Sequence, residues 1–141
     1  MFFKNSSDNL EIIVAKSANI INKPYIHSVV KISGECDISK VDDLDITLNI
    51  LCRDSEGNRI ERDDLEIEIF NSKNELVLLV SKLNYPNEPI LWSGNKNLWM
   101  DSKSGKKCEP PNYNFRIENL ATRIKRFITV SYTHLTLPTK A

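Results

Sequence analysis

Residues 44–52 read LDITLNILC. Leu44, Ile46, Leu48, Ile50 and Cys52 fall on one side of an extended chain, and Asp45, Thr47 and Asn49 fall on the other, which is the period-two pattern of a half-buried strand. That reading makes Cys52 a core thiol. It decides the fold because the same alternation recurs on both sides of this stretch. Downstream, RDSEGNRIER (53–62) places Asp54, Gly57 and Asn58 where a hairpin needs a positive φ, and DLEIEIF (64–70) resumes the alternation with Leu65, Ile67 and Ile69 inward. A second turn, NSKN (71–74), leads into ELVLLVSKL (75–83), apolar on both faces and so a central strand.

Upstream lie NLEIIVAKS (9–17) and YIHSVVKISGECDI (25–38), the second a long strand with a bulge expected at Gly34. Residues 84–112 are punctuated by Pro, Asn and Gly and read as loop with one short strand at most. YNFRIENL (113–120) and RIKRFI (123–128) both alternate and read as closing strands, and DISKVDDL (37–44) is the best helical candidate. About seven short strands joined by turns predict an all-β protein, an antiparallel β-sandwich of two packed sheets. Its expected core includes Leu44, Ile46, Leu48, Ile50, Leu65, Ile67, Ile69, Val77, Leu79, Phe115 and Ile117.

The last residues break this pattern. VSYTHLTLPT (130–139) resembles the forward-frame translation of a transposase-type sequencing adapter, ten residues in phase. The expectation is a single sandwich domain over residues 1–128, cut short at its C-terminal end, followed by a non-native tail at 129–141. His134 then leaves the set of chemically relevant residues.

Charge and composition bound the function. Residues 1–70 hold fourteen Asp or Glu against eight Lys or Arg, and residues 71–141 hold five against eleven, for a net charge of zero. Halves of one domain pack side by side, so these charges are expected to mix on one surface, leaving no basic stripe for nucleic acid. The N-terminal stretch lacks the apolar core and cleavage site of a signal peptide, and no apolar run reaches the length of a membrane span. A cytoplasmic protein follows. Cys36, Cys52 and Cys108 are odd in number and lack CxxC spacing, so they read as reduced thiols, with neither a disulfide framework nor a zinc site.

The segment VVKISGECDISKVDDLDITLNILCRDSEGNRI (29–60) is similar to the pattern of FxLYD-type and related bacterial immunoglobulin-like domains: a strand ending near a glycine, a spacer, then an alternating strand leading into an acidic, glycine-containing hairpin. FRIENLATRIKRFI (115–128) resembles the closing strand pair of such domains. Cys52 stands where the LYD signature carries an aromatic. The resemblance implies an immunoglobulin-like sandwich acting as a binding or spacer module, with no chemistry of its own.

The chemical inventory agrees. DSEGN (54–58) lacks the ligand set of a calcium loop and reads as a solvated turn. His27 has no residue of the same strand placed to share a proton with it, since parity puts Cys36 on the other face. Phosphate loops, nucleophile elbows and metal spacings are missing from the sequence. The expected function is a non-enzymatic interaction module with a protein partner, no cofactor, no nucleic acid and no membrane. The alternative is a small-ligand or glycan binder using the aromatics in and beside the long loop: Tyr85, Trp92, Trp99 and Tyr113. Against it stands the reading in which Trp92 and Trp99, each flanked by apolar residues in PILW and NLWM, close the end of the core.

Overall fold

The computed structural model describes residues 6–35 and 44–136. Helix α1 (Ser6–Ile21) leads into six strands, β1 (Ile26–Glu35), β2 (Asp45–Arg53), β3 (Leu65–Ser72), β4 (Glu75–Lys82), β5 (Ile90–Ser93) and β6 (Asn97–Met100), and helix α2 (Asn114–Thr136) follows. All six strands form one antiparallel sheet in the order β1-β2-β3-β4-β5-β6, each strand beside its neighbours in sequence.

Alternation produces the sheet's buried face. Leu48 stands opposite Ile67, Ile67 opposite Val80, Val80 opposite Leu91 and Leu91 opposite Trp99, so one row of core side chains crosses five strands. All five are buried. The flanking rows contain Ile46, Ile69 and Leu78, and then Ile50 and Leu65.

Two helices cover this face where a second sheet was expected. In α1, Leu10, Val14, Ala18 and Ile21 recur at helical spacing and form one apolar stripe, the first three buried and Ile21 packed against the same core. In α2 the stripe is Ile117, Leu120, Ala121, Ile124 and Ile128. Both helices join the sheet in one core, and they also pack on each other.

The β-rich, antiparallel part of the expectation is therefore present, as one six-stranded sheet, and the seven-strand sandwich is replaced by a sheet and helix two-layer arrangement. NLEIIVAKS is helical, and YNFRIENL after its leading Tyr113 belongs with RIKRFI to one helix. Phe115, expected inside, is 73% exposed because helical spacing turns it away from the Ile117 stripe, and Leu79 is half-buried on the sheet's other face. The helix expected at 37–44 falls mostly outside the described residues. The backbone of 130–136 continues α2.

The turns follow their chemistry. Ser72 pairs with Glu75 across Lys73 and Asn74, whose φ values of 53° and 67° are those of a two-residue type I′ hairpin. The bulge in β1 lies between Lys31 and Ser33. Beside it, Gly34 has φ 91°, and a Cβ there would come within 2.1 Å of the Asp45 carbonyl oxygen, so only glycine lets β1 approach β2 so closely.

Candidate functional site

The four loop aromatics divide between two sides of the sheet. Trp92 of β5 stands opposite Leu98, and Trp99 of β6 stands opposite Leu91, so the two indoles point to opposite faces. Trp99 is 3% exposed. Its Nε1–H donates to Glu118 Oε2 at 2.6 Å, and its ring meets Tyr113 edge to face at 6.4 Å. The Tyr113 hydroxyl donates to Glu88 Oε1 at 2.9 Å, and Lys82 Nζ sits 4.6 Å from its ring centre. Burial, reinforced by the Glu88 carboxylate, pushes the Tyr113 hydroxyl well above the usual tyrosine range. Tyr85 is exposed in the turn after β4. Trp99 and Tyr113 thus close the core, and Trp92 faces outward from it.

Trp92 belongs to the sheet face on which neither α1 nor α2 packs. Phe70 stands opposite Val77, Leu79 opposite Trp92, and Trp92 opposite Leu98. The Phe70 and Trp92 rings meet edge to face at 5.9 Å although β4 runs between their strands. Strands two places apart are about 9.6 Å from each other. The rings therefore lean over β4, which explains why Val77 is fully buried on an uncovered face. Beyond this apolar patch the same face turns acidic. Asp45, Glu66 and Glu68 share it, opposite Phe70, Asn49 and Thr47 respectively. Burial, and then the neighbouring Asp45 and Glu66 charges, raise the Glu68 carboxyl.

At one end of the buried face lies a cavity of about 40 Å³, lined by Asn22, His27, Asp63, Lys82, Tyr113 and Arg116 over an apolar floor. That volume suits a few waters. His27, 8% exposed, stands directly opposite Cys52 across β1 and β2, a pairing that the sequence conceals because it depends on register. Asn19 Oδ1 accepts from the His27 backbone N–H at 2.7 Å and lies 2.9 Å from Nδ1. Burial lowers the imidazole's pKa, opposed by Asp63 and Asp64, and burial with the same two carboxylates pushes the Cys52 thiol up to about 11. Both side chains are neutral near pH 7, so this pair does not supply a thiolate. Cys36, the other thiol considered beside His27, lies outside the described residues.

The acidic turn after β2 uses its own oxygens. Asp54 Oδ1 accepts from the N–H groups of Glu56 and Asn58, each at 2.9 Å, and Gly57 alone among its residues has a positive φ. Among the described residues no group of three or more His, Cys, Asp or Glu is placed to hold a metal ion. No described helix is long and apolar enough to cross a membrane.

The outer side of α2 is the feature that the sequence reading missed. Phe115 and Phe127 are 73% and 44% exposed, Arg116 and Arg126 are exposed, and the half-buried Arg123 holds its guanidinium 5.9 Å from the Phe127 ring. As strands these residues scatter over two faces, but on a helix they gather on one. The helical spacing of Ile117, Leu120, Ala121, Ile124 and Ile128 was the available signal.

No curated protein and no solved structure matches the chain. A family model does, and it covers residues 11–127, from the first turns of α1 through the arginine-bearing part of α2. The chain therefore belongs to the family described as a domain of unknown function, DUF8659.

Proposed function

We propose that this protein is a non-enzymatic interaction module of the cytoplasm, and that the helix-free face of its sheet is the surface that meets a partner protein. The observation carrying this reading is the half-exposed apolar patch of Phe70, Leu79, Trp92 and Leu98 beside Asp45, Glu66 and Glu68. Partly exposed aromatics with a charged rim are the usual makings of a protein contact. The neutral His27 and Cys52 pair leaves the best chemical candidate without a nucleophile. The likeness of residues 29–60 to bacterial immunoglobulin-like modules does not extend to the fold, which is one sheet with two helices, and it adds nothing to this reading.

The test is solvent footprinting of β4 to β6 in purified protein and in the source cell extract. Extract should protect Trp92 and Leu98, and replacing both with serine should abolish that protection. Equal exposure in extract and in dilute purified protein at high salt removes the reading.

A second reading is favoured by one observation. An open groove of about 630 Å³ has Trp92, Asn95, Lys96 and Asn97 in its lining, an aromatic ring beside amide and ammonium groups. Sugars are held by such combinations of ring and planar amide. Quenching of Trp92 fluorescence by soluble oligosaccharides would support glycan binding, and a flat titration would dismiss it.

A further inference from the structure

Some of the uneven charge of the sequence mixes, as where Lys82 pairs with Asp63, but two sets of charged side chains stay apart. Asp45, Glu66 and Glu68 lie on the helix-free face of the sheet. Arg116, Arg123 and Arg126 lie on α2, which packs against the opposite face. The two sets lie on opposite sides of the sheet, with Arg116 at the rim of the His27 cavity and Arg123 and Arg126 farther along α2. None of the six makes an ion pair or a side-chain hydrogen bond to a described residue; the ion pairs among the described residues are Arg59 with Asp64 and Lys82 with Asp63. Each charged set also has apolar company: Phe115 and Phe127 accompany the arginines, and Phe70, Leu79, Trp92 and Leu98 accompany the carboxylates.

Resting on the reading of the sheet face as a contact surface, we propose that its partner is a second copy of this chain, bound head to tail, with the arginine and phenylalanine side of α2 in one copy laid on the acidic, tryptophan-bearing sheet face of the next.

Three observations carry this. The two surfaces are opposite in sign and each mixes charge with exposed aromatic or aliphatic groups, so ion pairs and apolar burial can form together. The dimensions match: α2 from residue 114 to 129 is about 24 Å long, and six strands span about 24 Å from first to last. A helix laid across such a sheet hides on the order of 1,000 Å² in all, the lower limit of a specific interface. The formal net charge is zero, so long-range repulsion between copies is minimal. A contact of this size and charge is weak and screened by salt. It is also heterologous: each bound copy still offers one free surface of each kind, so association continues past the dimer unless the ring closes.

Nucleic acid or an anionic membrane could occupy the arginines, but neither uses the acidic face, which a second copy satisfies at the same time.

Sedimentation velocity on the purified full chain decides the matter. At low salt the average sedimentation coefficient should rise with protein concentration, and at high salt it should return to the monomer value. The variants Glu66→Lys/Glu68→Lys and Arg123→Glu/Arg126→Glu should each weaken association by roughly tenfold or more. Mixing the two should restore it, because each then presents what the other lacks. Circular dichroism and melting curves verify that the variants fold, and the wild-type salt series stands without them. A wild type that stays monomeric at low salt overturns the proposal, as does a mixture that fails to associate while both variants are folded. So does binding of a single-stranded oligonucleotide or of phosphatidylserine vesicles by an otherwise monomeric wild type. These measurements use purified protein alone, whereas a foreign partner is read from protection in extract, so the two readings fail on different results.

Discussion

Asp64 and Arg59 are joined by two hydrogen bonds, from Arg59 Nη1 to Oδ1 at 3.0 Å and from Nη2 to Oδ2 at 2.6 Å, at the point where β2 hands over to β3. Asp64 is 1% exposed and also accepts from the backbone N–H of Cys52 at 2.7 Å and from Asn84 Nδ2 at 3.2 Å. Burial alone would raise its pKa, but the bonds from Arg59, Cys52 and Asn84 outweigh it and hold the carboxyl below the usual range. Asp64→Ala should cost about 3 to 5 kcal/mol, because a buried N–H and a guanidinium lose their acceptor together. Asp64→Asn should cost less, since its amide oxygen still serves Cys52. Urea unfolding measures both, and a loss below about 1 kcal/mol for the alanine variant would show that water replaces the carboxylate.

Acid should weaken the fold at two stages. His27 has a folded pKa below the ordinary value of about 6.5, so the unfolded chain takes up its proton first. Stability falls as pH drops through 6.5 toward the folded value, by at most about 1.4 kcal/mol per pH unit. The Asp64 contribution is present above the ordinary carboxylate pKa and is lost as pH falls through its depressed folded value. Melting temperatures from pH 8 to 3 should show both declines. His27→Gln should remove the first and leave the second, and an unchanged upper decline would place its origin elsewhere.

How legible this fold was depended on whether a segment's exposed side chains agreed with its buried ones. In β2 and β3 the outward positions are polar apart from Leu51 and Phe70, and the pattern stated both the strands and their core residues. In α1, exposed Ile12 and Ile20 fill the helical stripe's gaps and imitate alternation; in α2, exposed Phe115 and Phe127 do the same. Those outward apolar residues hid the helices, and with them the arginine face. β5 and β6 were short enough, and their Ser93 to Asn97 hairpin polar enough, to pass for loop. The opposition of His27 and Cys52 could not be read at all, because it is fixed by cross-strand register.

The two tryptophans should behave as core and surface. Trp99→Ala removes a buried ring and leaves Glu118 with Asn114 as its donor, and should cost about 3 to 5 kcal/mol. Trp92→Ala should cost less than half of that, since the indole is half-exposed. In acrylamide quenching of the single-tryptophan variants Trp92→Phe and Trp99→Phe, the chain that keeps Trp92 should quench more. Equal quenching would contradict the division of the two rings between faces.

Cys52 should be chemically silent. It is fully buried, with its thiol pushed up to about 11, whereas Cys108 is half-buried. In a Cys36→Ser/Cys108→Ser background, an aromatic disulfide reagent at pH 8 should modify Cys52 only at the rate of unfolding. Rapid labelling under native conditions would mean that the β1 to β2 end of the sheet opens readily.

Among the side chains described along α2, the last in the core is Ile128. Deleting residues 130–141 should shift the melting temperature only slightly, and Ile128→Ala should cost about 2 to 5 kcal/mol. A deletion as damaging as the alanine substitution would give the terminal segment a structural share of its own.

The meander has a kinetic meaning. Since every strand pairs with the next in sequence, the ladder can zip from hairpin to hairpin with short loops to close, a topology of low contact order that favours rapid folding. The contact between α1 and α2 is the exception, because it joins the two ends of the chain. Closing so long a loop has the largest entropic cost and falls to the end of the reaction. Substitutions between the helices should then leave the folding rate nearly unchanged and accelerate unfolding, so that this seam sets the lifetime of the native protein.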